Sequence, residues 1–289
     1  METASIESEV IMDIRQSPEY ASYLKKEGWI VERIGGVNYF LRKLPLVGHI
    51  LKVQRPSKID FGTIEKLCRK YHVFEVILEP ENVCQVQEII NRGFSLSKSP
   101  YLPSKTLQID LAQSEDKIYT HFTKDCKYSI RRGEKIKIKE YSTADEIKIW
   151  WREWKNSLSF RRYVPPLTQL INLRESFPAN RSLFLASHNI FSRIIGGALF
   201  TTSSHRDVAY YWYGFTNKEG RASLSQYSLL YHGILWAKRR GCKTFDFEGI
   251  YDPRFPNKNW LGFSHFKRSF GGYEVEYPGC YTKFRFPYA

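Results

Sequence analysis

The stretch SLFLASHNIFSRIIGGALFTTSSHRDVAYYWYGFT, residues 182–216, carries apolar and aromatic runs separated by short polar breaks. Runs of this kind, bounded by polar clusters, are typical of strands. We predict three strands, at residues 182–187, 190–202 and 208–216. The breaks, at His188-Asn189 and residues 203–207, are short enough to connect neighbouring antiparallel strands. The sequence therefore predicts an antiparallel meander here.

A helix is predicted on each side of this meander. Residues 144–158 carry apolar side chains at spacings of three and four, namely Ile147, Trp150, Trp151 and Trp154. Residues 224–240 carry a second apolar stripe, which stops at Gly241 and leads into a short strand at residues 243–247. A meander between two helices, followed by a strand, is the element order of an acetyltransferase-type domain.

The chain before Ser142 also mixes strands and helices. Strands are predicted at residues 39–42, 49–55, 74–78, 107–111 and 135–141, and helices at residues 61–71, 83–91 and 115–132. A chain of 289 residues is long enough for two compact domains. The predicted fold class is α/β (α+β), with mixed sheets flanked by helices.

The charge balance points to an anionic partner. Lys and Arg number 44 against 30 Asp and Glu, which gives a formal net charge of +14. A surplus of this size attracts nucleic acid, an anionic membrane or phosphorylated substrates, without choosing among them.

Cysteine and histidine usage argues against a disulfide framework and a metal site. The five cysteines include no C-x-x-C pair, and the seven histidines are dispersed, which fits a protein of a reducing cytosol. The acidic start, residues 1–14, lacks the pattern of a signal peptide. No apolar run approaches the roughly 20 residues that span a bilayer. We therefore expect at most peripheral contact with the inner face of the membrane.

Coenzyme A is a poor candidate for the acyl donor. Acetyltransferases hold its pyrophosphate on a glycine-rich turn that opens the helix after the central strand. The corresponding stretch, EGRASLSQ at residues 219–226, has a single glycine. We therefore expect no cofactor.

Four segments follow one another in a recognisable order. They are VAYYWYG (residues 208–214), the helix at residues 224–241, TFDFEGI (residues 244–250) and GFSHFKRSFGG (residues 262–272). Together they resemble the Fem family of peptidoglycan-bridge aminoacyltransferases. Upstream, TLQIDL (residues 106–111), the helix ending at SIRRG (residues 129–133) and residues 159–163 are similar to the same pattern. The resemblance covers roughly residues 106–272.

The resemblance implies two acetyltransferase-like domains, with the last strand or two folding back onto the first. The expected domains are residues 1–141 with 273–289, and residues 142–272, which would hold the transfer site. The resemblance also implies an aminoacyl-tRNA donor and a peptidoglycan precursor as acceptor, either lipid II or a nucleotide-linked muropeptide. Family members that act on lipid II often carry a long helical arm, for which this chain has no room.

The Phe-Lys pair of this family corresponds to Phe266 and Lys267. Aminoacyl transfer passes through an anionic tetrahedral intermediate, and a fixed cation beside it is worth several kcal/mol. A neighbouring ring would shield the ammonium or stack on the terminal adenosine. The alternative is that Lys267 and Arg268 form a solvated helix face, with Phe266 and Phe270 as its buried stripe.

Three carboxylates are further candidates. Asp246 and Glu248 flank Phe247 at a strand end, so both should point to one side, where they could accept the proton of the attacking amine. Anchoring of the following loop is the favoured role of Asp246. Asp110 resembles a family aspartate near the acceptor site, and capping of the following helix explains it equally well.

Basic residues supply the candidate phosphate contacts. The residues expected to track a tRNA backbone are Arg131, Arg132, Lys135, Lys137 and Lys139. Lysines that guard a solvated strand edge explain the same run. By the same resemblance, the residues expected at the acceptor diphosphate are Arg161, Arg162 and Arg174. Tyr213 could hydrogen-bond the acceptor peptide or be a buried strand tyrosine.

Two other functions stay open at this stage. One is an acyltransferase of the same fold that uses another donor in polysaccharide or lipid modification. The other is a non-catalytic RNA-binding protein, for which the charge and the aromatic residues would suffice.

Overall fold

The computed structural model describes residues 12–158, 163–203, 205 and 207–285, which form two mixed sheets flanked by helices. The elements up to residue 96 are α1 (Pro18–Lys26), β1 (Ile30–Ile34), β2 (Val37–Leu44), β3 (Gly48–Gln54), α2 (Phe61–Tyr71), β4 (Val73–Glu79), α3 (Val86–Asn91) and β5 (Ser95–Leu96). A short 3-10 helix, Ile14–Gln16, precedes α1. Another, Val83–Gln85, leads into α3.

The next elements make up the second sheet and its helices. They are β6 (Lys105–Asp110), α4 (Glu115–Thr120), α5 (Lys124–Arg132), β7 (Lys137–Tyr141), α6 (Ala144–Ser157), α7 (Leu167–Ser176), β8 (Ser182–His188), β9 (Ile194–Thr202), β10 (Val208–Thr216), α8 (Lys218–Ala222), α9 (Ser225–Arg239), β11 (Thr244–Asp246), α10 (Leu261–Arg268) and β12 (Tyr273–Glu276). The last strand is β13 (Tyr281–Phe284). Further 3-10 turns are Gly133–Lys135 and Lys258–Trp260.

One local topology occurs in both sheets. The strand orders are β1-β2-β3-β4-β13-β5 and β12-β6-β11-β10-β9-β8-β7. In the first sheet, the antiparallel strands β1 to β3 are followed by α2 and by β4, which is parallel to β3. In the second sheet, the antiparallel strands β8 to β10 are followed by α9 and by β11, which is parallel to β10. The predicted meander is confirmed, and so is the predicted duplication of the acetyltransferase-like element order.

The boundary between the sheets differs from the boundary expected at residues 141 and 142. Both β6 and β7 pair within the second sheet, so the chain changes sheets in residues 97–104. The expected return of the C-terminal strands is made by β13, which lies between β4 and β5. Strand β12 instead pairs with β6, because Gly271 and Gly272, at φ 70° and 92°, turn the chain directly onto that strand.

Polar caps account for the other local differences. The single helix expected over residues 115–132 is two helices, because the Thr123 side chain caps a new helix by accepting from the Cys126 N–H. The strand expected from residue 190 begins at Ile194, because the Asn189 side chain accepts from the amides of Phe191 and Arg193 and holds a turn.

Both faces of the second sheet are buried. One face packs against α4, α5 and α9 around Phe200, Phe245 and Phe247. The other packs against α1, α6 and α7 around Trp150 and Phe184. The residues just before α1 contact both sheets and so join the two halves. The Ile14 amide donates to the Tyr210 hydroxyl of the second sheet, and the Asn38 side chain of the first sheet donates to the Arg15 carbonyl.

Candidate functional site

Lys267 lies in the last turn of α10 and points into the protein, where only 8% of its surface is exposed. Its Nζ donates to the carbonyl oxygens of Phe247 and Gly249, each at 2.6 Å. These acceptors follow β11 and bracket Glu248. An ammonium has three donors, and no third acceptor lies within hydrogen-bond distance among the described residues. One donor is therefore left for a ligand oxygen.

Burial lowers the pKa of Lys267 to about 8, although the charges of Glu248 and Asp246 oppose the shift. The ammonium is thus a desolvated cation whose field is little screened. The solvated helix face weighed from the sequence describes only Arg268, which is exposed and pairs with Glu274.

The ring nearest to this ammonium is Phe263, one helical turn before Lys267. The Lys267 Nζ lies 5.0 Å from the Phe263 centroid and 5.7 Å from that of Tyr211. Phe266 packs instead against Tyr227, at a centroid distance of 4.8 Å. The expectation that Phe266 shields the ammonium is corrected in favour of Phe263. Phe263 and Lys267 are four residues apart in a helix, and this spacing could have identified Phe263 from the sequence.

Phe270 is buried, as the sequence suggested. Its ring packs against Phe122 and Phe247 in the core beneath α10. It therefore holds α10 in place rather than contacting a ligand.

Asp246 has the geometry of an anchor. Its carboxylate accepts from the Thr106 Oγ1 at 2.5 Å, the Gln108 Nε2 at 2.8 Å and the Glu248 amide at 2.6 Å. Burial, followed by the charge of Glu248, raises its pKa. These bonds tie the end of β11 to β6 and fill the acceptor sites of Asp246.

Glu248 does not share a strand face with Asp246, because β11 ends at Asp246 and Glu248 takes the left-handed conformation at φ 69°. Such a backbone is unfavourable for a residue other than glycine. Its Oε2 accepts from the Arg15 Nη2 at 2.7 Å, whereas its Oε1 is buried without a hydrogen-bond partner in the described structure.

A buried ion network surrounds Glu248 between the two sheets. Arg15 and Arg55 both contact the Asp13 carboxylate, and Arg55 also donates to the Pro103 carbonyl. Burial raises the pKa of Asp13, but the two guanidinium groups outweigh it and the net shift is downward. These residues are not among the sequence-based candidates, since no local motif marks them.

A groove of about 900 Å³ lies beside the segment that follows β11. Residues 98–104 form one wall, residues 250–260 form the other, and Tyr163 and Tyr213 complete the lining. Exposed Lys98 and Lys258 stand at its rim. Burial raises the pKa of Tyr213 to about 12, so its hydroxyl stays protonated and able to donate. The expectation that Tyr213 contacts the acceptor peptide stays a prediction.

A second cavity, of about 260 Å³, lies at the start of α9 and is called the small cavity below. Its lining residues are Thr216, Gly220, Arg221, Leu224, Gln226, Tyr227, Phe263 and Phe266. Phe263 lines this cavity and also faces the Lys267 ammonium. The small cavity and the Lys267 ammonium therefore share Phe263 as a neighbour. Gly249, which accepts from Lys267, directly precedes the groove wall that begins at Ile250.

The other acceptor-site candidates are placed elsewhere or not described. Asp110 accepts from the Ala112 amide and stabilises a turn, away from the groove. Arg174 donates to the Ser142 carbonyl and the Ser182 hydroxyl, so it joins α7 to its neighbours and does not line the groove. Arg161 and Arg162 lie outside the described residues.

The basic run lies at the far edge of the second sheet. The exposed members are Arg131, Arg132, Lys135, Lys137 and Lys139. Strand β7 is the edge strand. Four strand spacings, a distance of about 19 Å, separate β7 from β11. Lysines on an exposed edge strand, where their charge opposes pairing with other strands, account for this position. Lys139 also pairs with Glu146 at 3.5 Å.

The stretch compared with a pyrophosphate-binding turn forms α8. Its amides donate within the protein: Gly220 to the Asn217 side chain, Arg221 to the Asn217 carbonyl and Ser223 to the Glu219 carbonyl. A Cβ on Gly220 would lie 2.1 Å from the Ile195 carbonyl oxygen, so this glycine serves close packing.

Two further observations limit the chemistry of the described residues. They include no group of three or more His, Cys, Asp or Glu side chains placed to hold a metal ion. No helix in the described ranges combines the length and the apolar character needed to cross a membrane.

No family model matches the sequence, and a search of curated proteins finds no match. Solved structures do match. The crystal structure of FemX superposes with a TM-score of 0.80 over 94% of this chain and 92% of that one, at 14% identity.

The chain has the fold of FemX.

Two further solved structures share the fold. L-PGS from Bacillus licheniformis gives a TM-score of 0.63 at 11% identity, covering 92% of this chain and 87% of that one. A tandem GNAT protein from the clavulanic acid pathway gives 0.53 at 12% identity, covering 89% and 82%. At these identities the likeness to FemX and the others establishes the fold alone.

Proposed function

We propose that this protein is an aminoacyltransferase that moves an amino acid from aminoacyl-tRNA to the stem-peptide amine of a peptidoglycan precursor. The observation that carries the proposal is the Lys267 ammonium, which is desolvated and fixed by two carbonyls just after β11. The Fem resemblance of residues 208–272 supports the choice of donor and acceptor.

The reaction requires a stabilised oxyanion. The neutral acceptor amine attacks the ester carbonyl, a C–N bond forms, and the carbonyl oxygen becomes negatively charged. The tetrahedral intermediate then expels the ribose oxygen, which takes up the proton that the amine loses. The remaining donor of Lys267 hydrogen-bonds the oxyanion, an interaction that in a water-excluded site is worth about 3 kcal/mol.

The groove suits the acceptor. Its volume of about 900 Å³ leaves room for a peptide, and its tyrosines offer hydroxyl donors and apolar ring faces. Lys98 and Lys258 supply positive charge for the diphosphate of a lipid-linked or nucleotide-linked precursor. The Fem resemblance assigns Arg161 and Arg162 to the same diphosphate.

The donor side offers a surface for a nucleic acid. Residues 219–226 contain a single glycine, and this Gly220 serves close packing against the Ile195 carbonyl. The exposed residues Arg131, Arg132, Lys135, Lys137 and Lys139 provide a basic surface for the tRNA body. At about 19 Å from β11, this surface is within reach of a macromolecule whose acceptor end enters the site.

The test is transfer of a labelled amino acid from charged tRNA to a panel of acceptors: a nucleotide-linked muropeptide, lipid II and phosphatidylglycerol. We expect label on a muropeptide, and a loss of about 100-fold or more in rate for Lys267→Met. Arg268→Met, one residue away and exposed, should retain the rate. Label only on phosphatidylglycerol, or equal rates for both variants, would overturn the proposal.

A further inference from the structure

The turn between β8 and β9, residues 189–193, presents two large apolar side chains to solvent and is called the apolar tip below. Ile190 is 89% exposed and Phe191 is 74% exposed. Single exposed apolar residues are ordinary on a protein surface. Two adjacent ones at the end of a turn form a patch that burial in a partner would stabilise.

The polar groups of the apolar tip are bonded to one another. The Asn189 side chain accepts from the amides of Phe191 and Arg193, each at 3.0 Å. The Asn189 carbonyl accepts from the Ser192 amide, also at 3.0 Å. Backbone amides that are bonded within a turn enter an apolar medium without losing hydrogen bonds to water. The backbone of the tip is therefore suited to such a medium.

The surroundings of the tip carry a positive surplus. Two carboxylates are present: Glu219 accepts from the Asn189 Nδ2, and Glu153 lines a cleft together with Arg193. Exposed cations are more numerous, and they come from the tip, from α8 and from the start of β7, which pairs with the end of β8. They are Lys137, Arg193, Lys218 and Arg221. This surplus favours an anionic partner, as does the net charge of +14.

The small area of the tip favours a lipid surface over a protein. Even at about 200 Å² for each side chain, the two fall well short of the roughly 800 Å² that each partner contributes to a stable protein interface. A bilayer accepts a small apolar insertion, and its anionic headgroups add electrostatic attraction for nearby Lys and Arg side chains.

The tip lies at the same end of the second sheet as the candidate site. Strand β9 begins beside the end of β10, where Gly196 pairs with Thr216, and β10 is parallel to β11. The carbonyls that hold Lys267 follow β11 directly. Exposed Leu261 and Phe263, at the start of α10, add apolar surface after the groove wall. A partner that covers the tip therefore meets the end of the sheet at which Lys267 is held.

We propose that the apolar tip docks the protein on an anionic lipid bilayer, with Ile190 and Phe191 inserted among the headgroups and the surrounding cations against them. This inference goes beyond the proposed function and does not depend on it, since docking requires no transfer reaction. It assigns the expected peripheral membrane contact to one surface of the molecule.

The test is co-sedimentation of the full chain with vesicles of equal parts phosphatidylcholine and phosphatidylglycerol, and with vesicles of phosphatidylcholine alone. We expect binding to the anionic vesicles. Ile190→Ser combined with Phe191→Ser should weaken it about 100-fold, because each inserted side chain contributes about tenfold. The matched control is Leu46→Ser with Val47→Ser, which removes two exposed apolar side chains from the turn between β2 and β3 and should bind like the wild type.

A second variant tests the charges without touching the apolar side chains. Arg193→Gln combined with Lys218→Gln, both exposed, should weaken binding to the anionic vesicles about fivefold for each charge removed. Equal binding of the wild type to both kinds of vesicle, or equal binding of the tip variant and its control, would overturn the inference. A tip variant that binds vesicles normally but loses tRNA binding or self-association would overturn it as well. Vesicle binding without any aminoacyl transfer would overturn the proposed function alone.

Discussion

At the scale of single residues, Lys267 determines how the proposed chemistry depends on pH. Its pKa of about 8 means that the ammonium is lost well below the 10.5 of an ordinary lysine. We expect the single-turnover transfer rate to fall as the pH rises through about 8, because the oxyanion loses its cationic partner. A rate that stays constant up to pH 10 would contradict this role.

The same pKa predicts a change in stability. Between pH 8 and 10.5 the unfolded chain keeps the proton that the folded protein has released, so this lysine makes the fold more stable as the pH rises through that window. Relative to Lys267→Met, the free energy of unfolding of the wild type should increase by about 3 kcal/mol across it. Urea unfolding of both proteins at pH 7.5 and pH 10.5 measures the difference, which should be near zero if Lys267 is solvated.

Asp246 illustrates a residue whose role is structural. Asp246→Ala removes the acceptor for three buried donors, from Thr106, Gln108 and Glu248. Each unsatisfied buried donor costs about 1–3 kcal/mol, so we expect a loss of at least about 3 kcal/mol in the free energy of unfolding. Asp110→Ala, which removes a turn contact, should cost about 1 kcal/mol. Equal losses for the two variants would show that the tie to β6 has little importance.

At the scale of elements, much of the second half of the chain could be predicted from its sequence. The meander, α9 and the strand after it follow from local apolar periodicity and from terminators such as Gly241, which act within a few residues. The caps at Thr123 and Asn189 altered element boundaries because a single side-chain hydrogen bond outweighs a weak apolar pattern.

Sheet membership and the surroundings of the site could not be predicted in this way. That β6 and β7 pair within the second sheet depends on contacts far apart in sequence. The burial of Lys267 between two carbonyls, and the approach of Arg15 to Glu248, are of the same kind. The Phe-Lys resemblance identified Lys267, but only the folded helix places Phe263 rather than Phe266 at its ammonium.

The N-terminal 3-10 helix acts as an element that joins the sheets. Its Arg15 is the ionic partner of Glu248, and removal of one member of a buried pair typically costs about 3–5 kcal/mol. Arg15→Met should therefore lower the free energy of unfolding by that amount, and adding Glu248→Gln should restore part of it. Lys26→Met, which breaks an exposed pair with Glu175, should cost less than about 1 kcal/mol. A loss for Arg15→Met no larger than this control would contradict the account.

The edge strand β7 and the 3-10 turn before it allow the two explanations of their lysines to be separated. If Lys135, Lys137 and Lys139 contact tRNA phosphates, their replacement by Gln should reduce the slope of log affinity against log salt by about 2–3. Filter binding of charged tRNA at several salt concentrations measures the slope. Replacement of the exposed Lys25, Lys58 and Lys66 is the matched control. An unchanged slope for the β7 variant would leave edge protection as the role of these lysines.

At the scale of the whole molecule, one local topology occurs in both halves, and the halves differ in the elements added to it. The first half keeps its meander, helix and parallel strand, and its sheet is completed by β13 from the C-terminal end of the described chain. The second half holds the buried lysine, the small cavity and one wall of the groove, while residues 98–104, on the crossing between the sheets, form the opposite wall. The candidate site therefore depends on both halves.

The most direct test of the central claim is a competition between donors in one reaction. Charged tRNA carrying a ¹⁴C-labelled amino acid and ³H-acetyl-coenzyme A are supplied together with a nucleotide-linked muropeptide, and the product is separated and counted. We predict ¹⁴C in the muropeptide, no ³H, and loss of the ¹⁴C signal with Lys267→Met but not with Arg268→Met. A product that carries ³H alone would contradict the account.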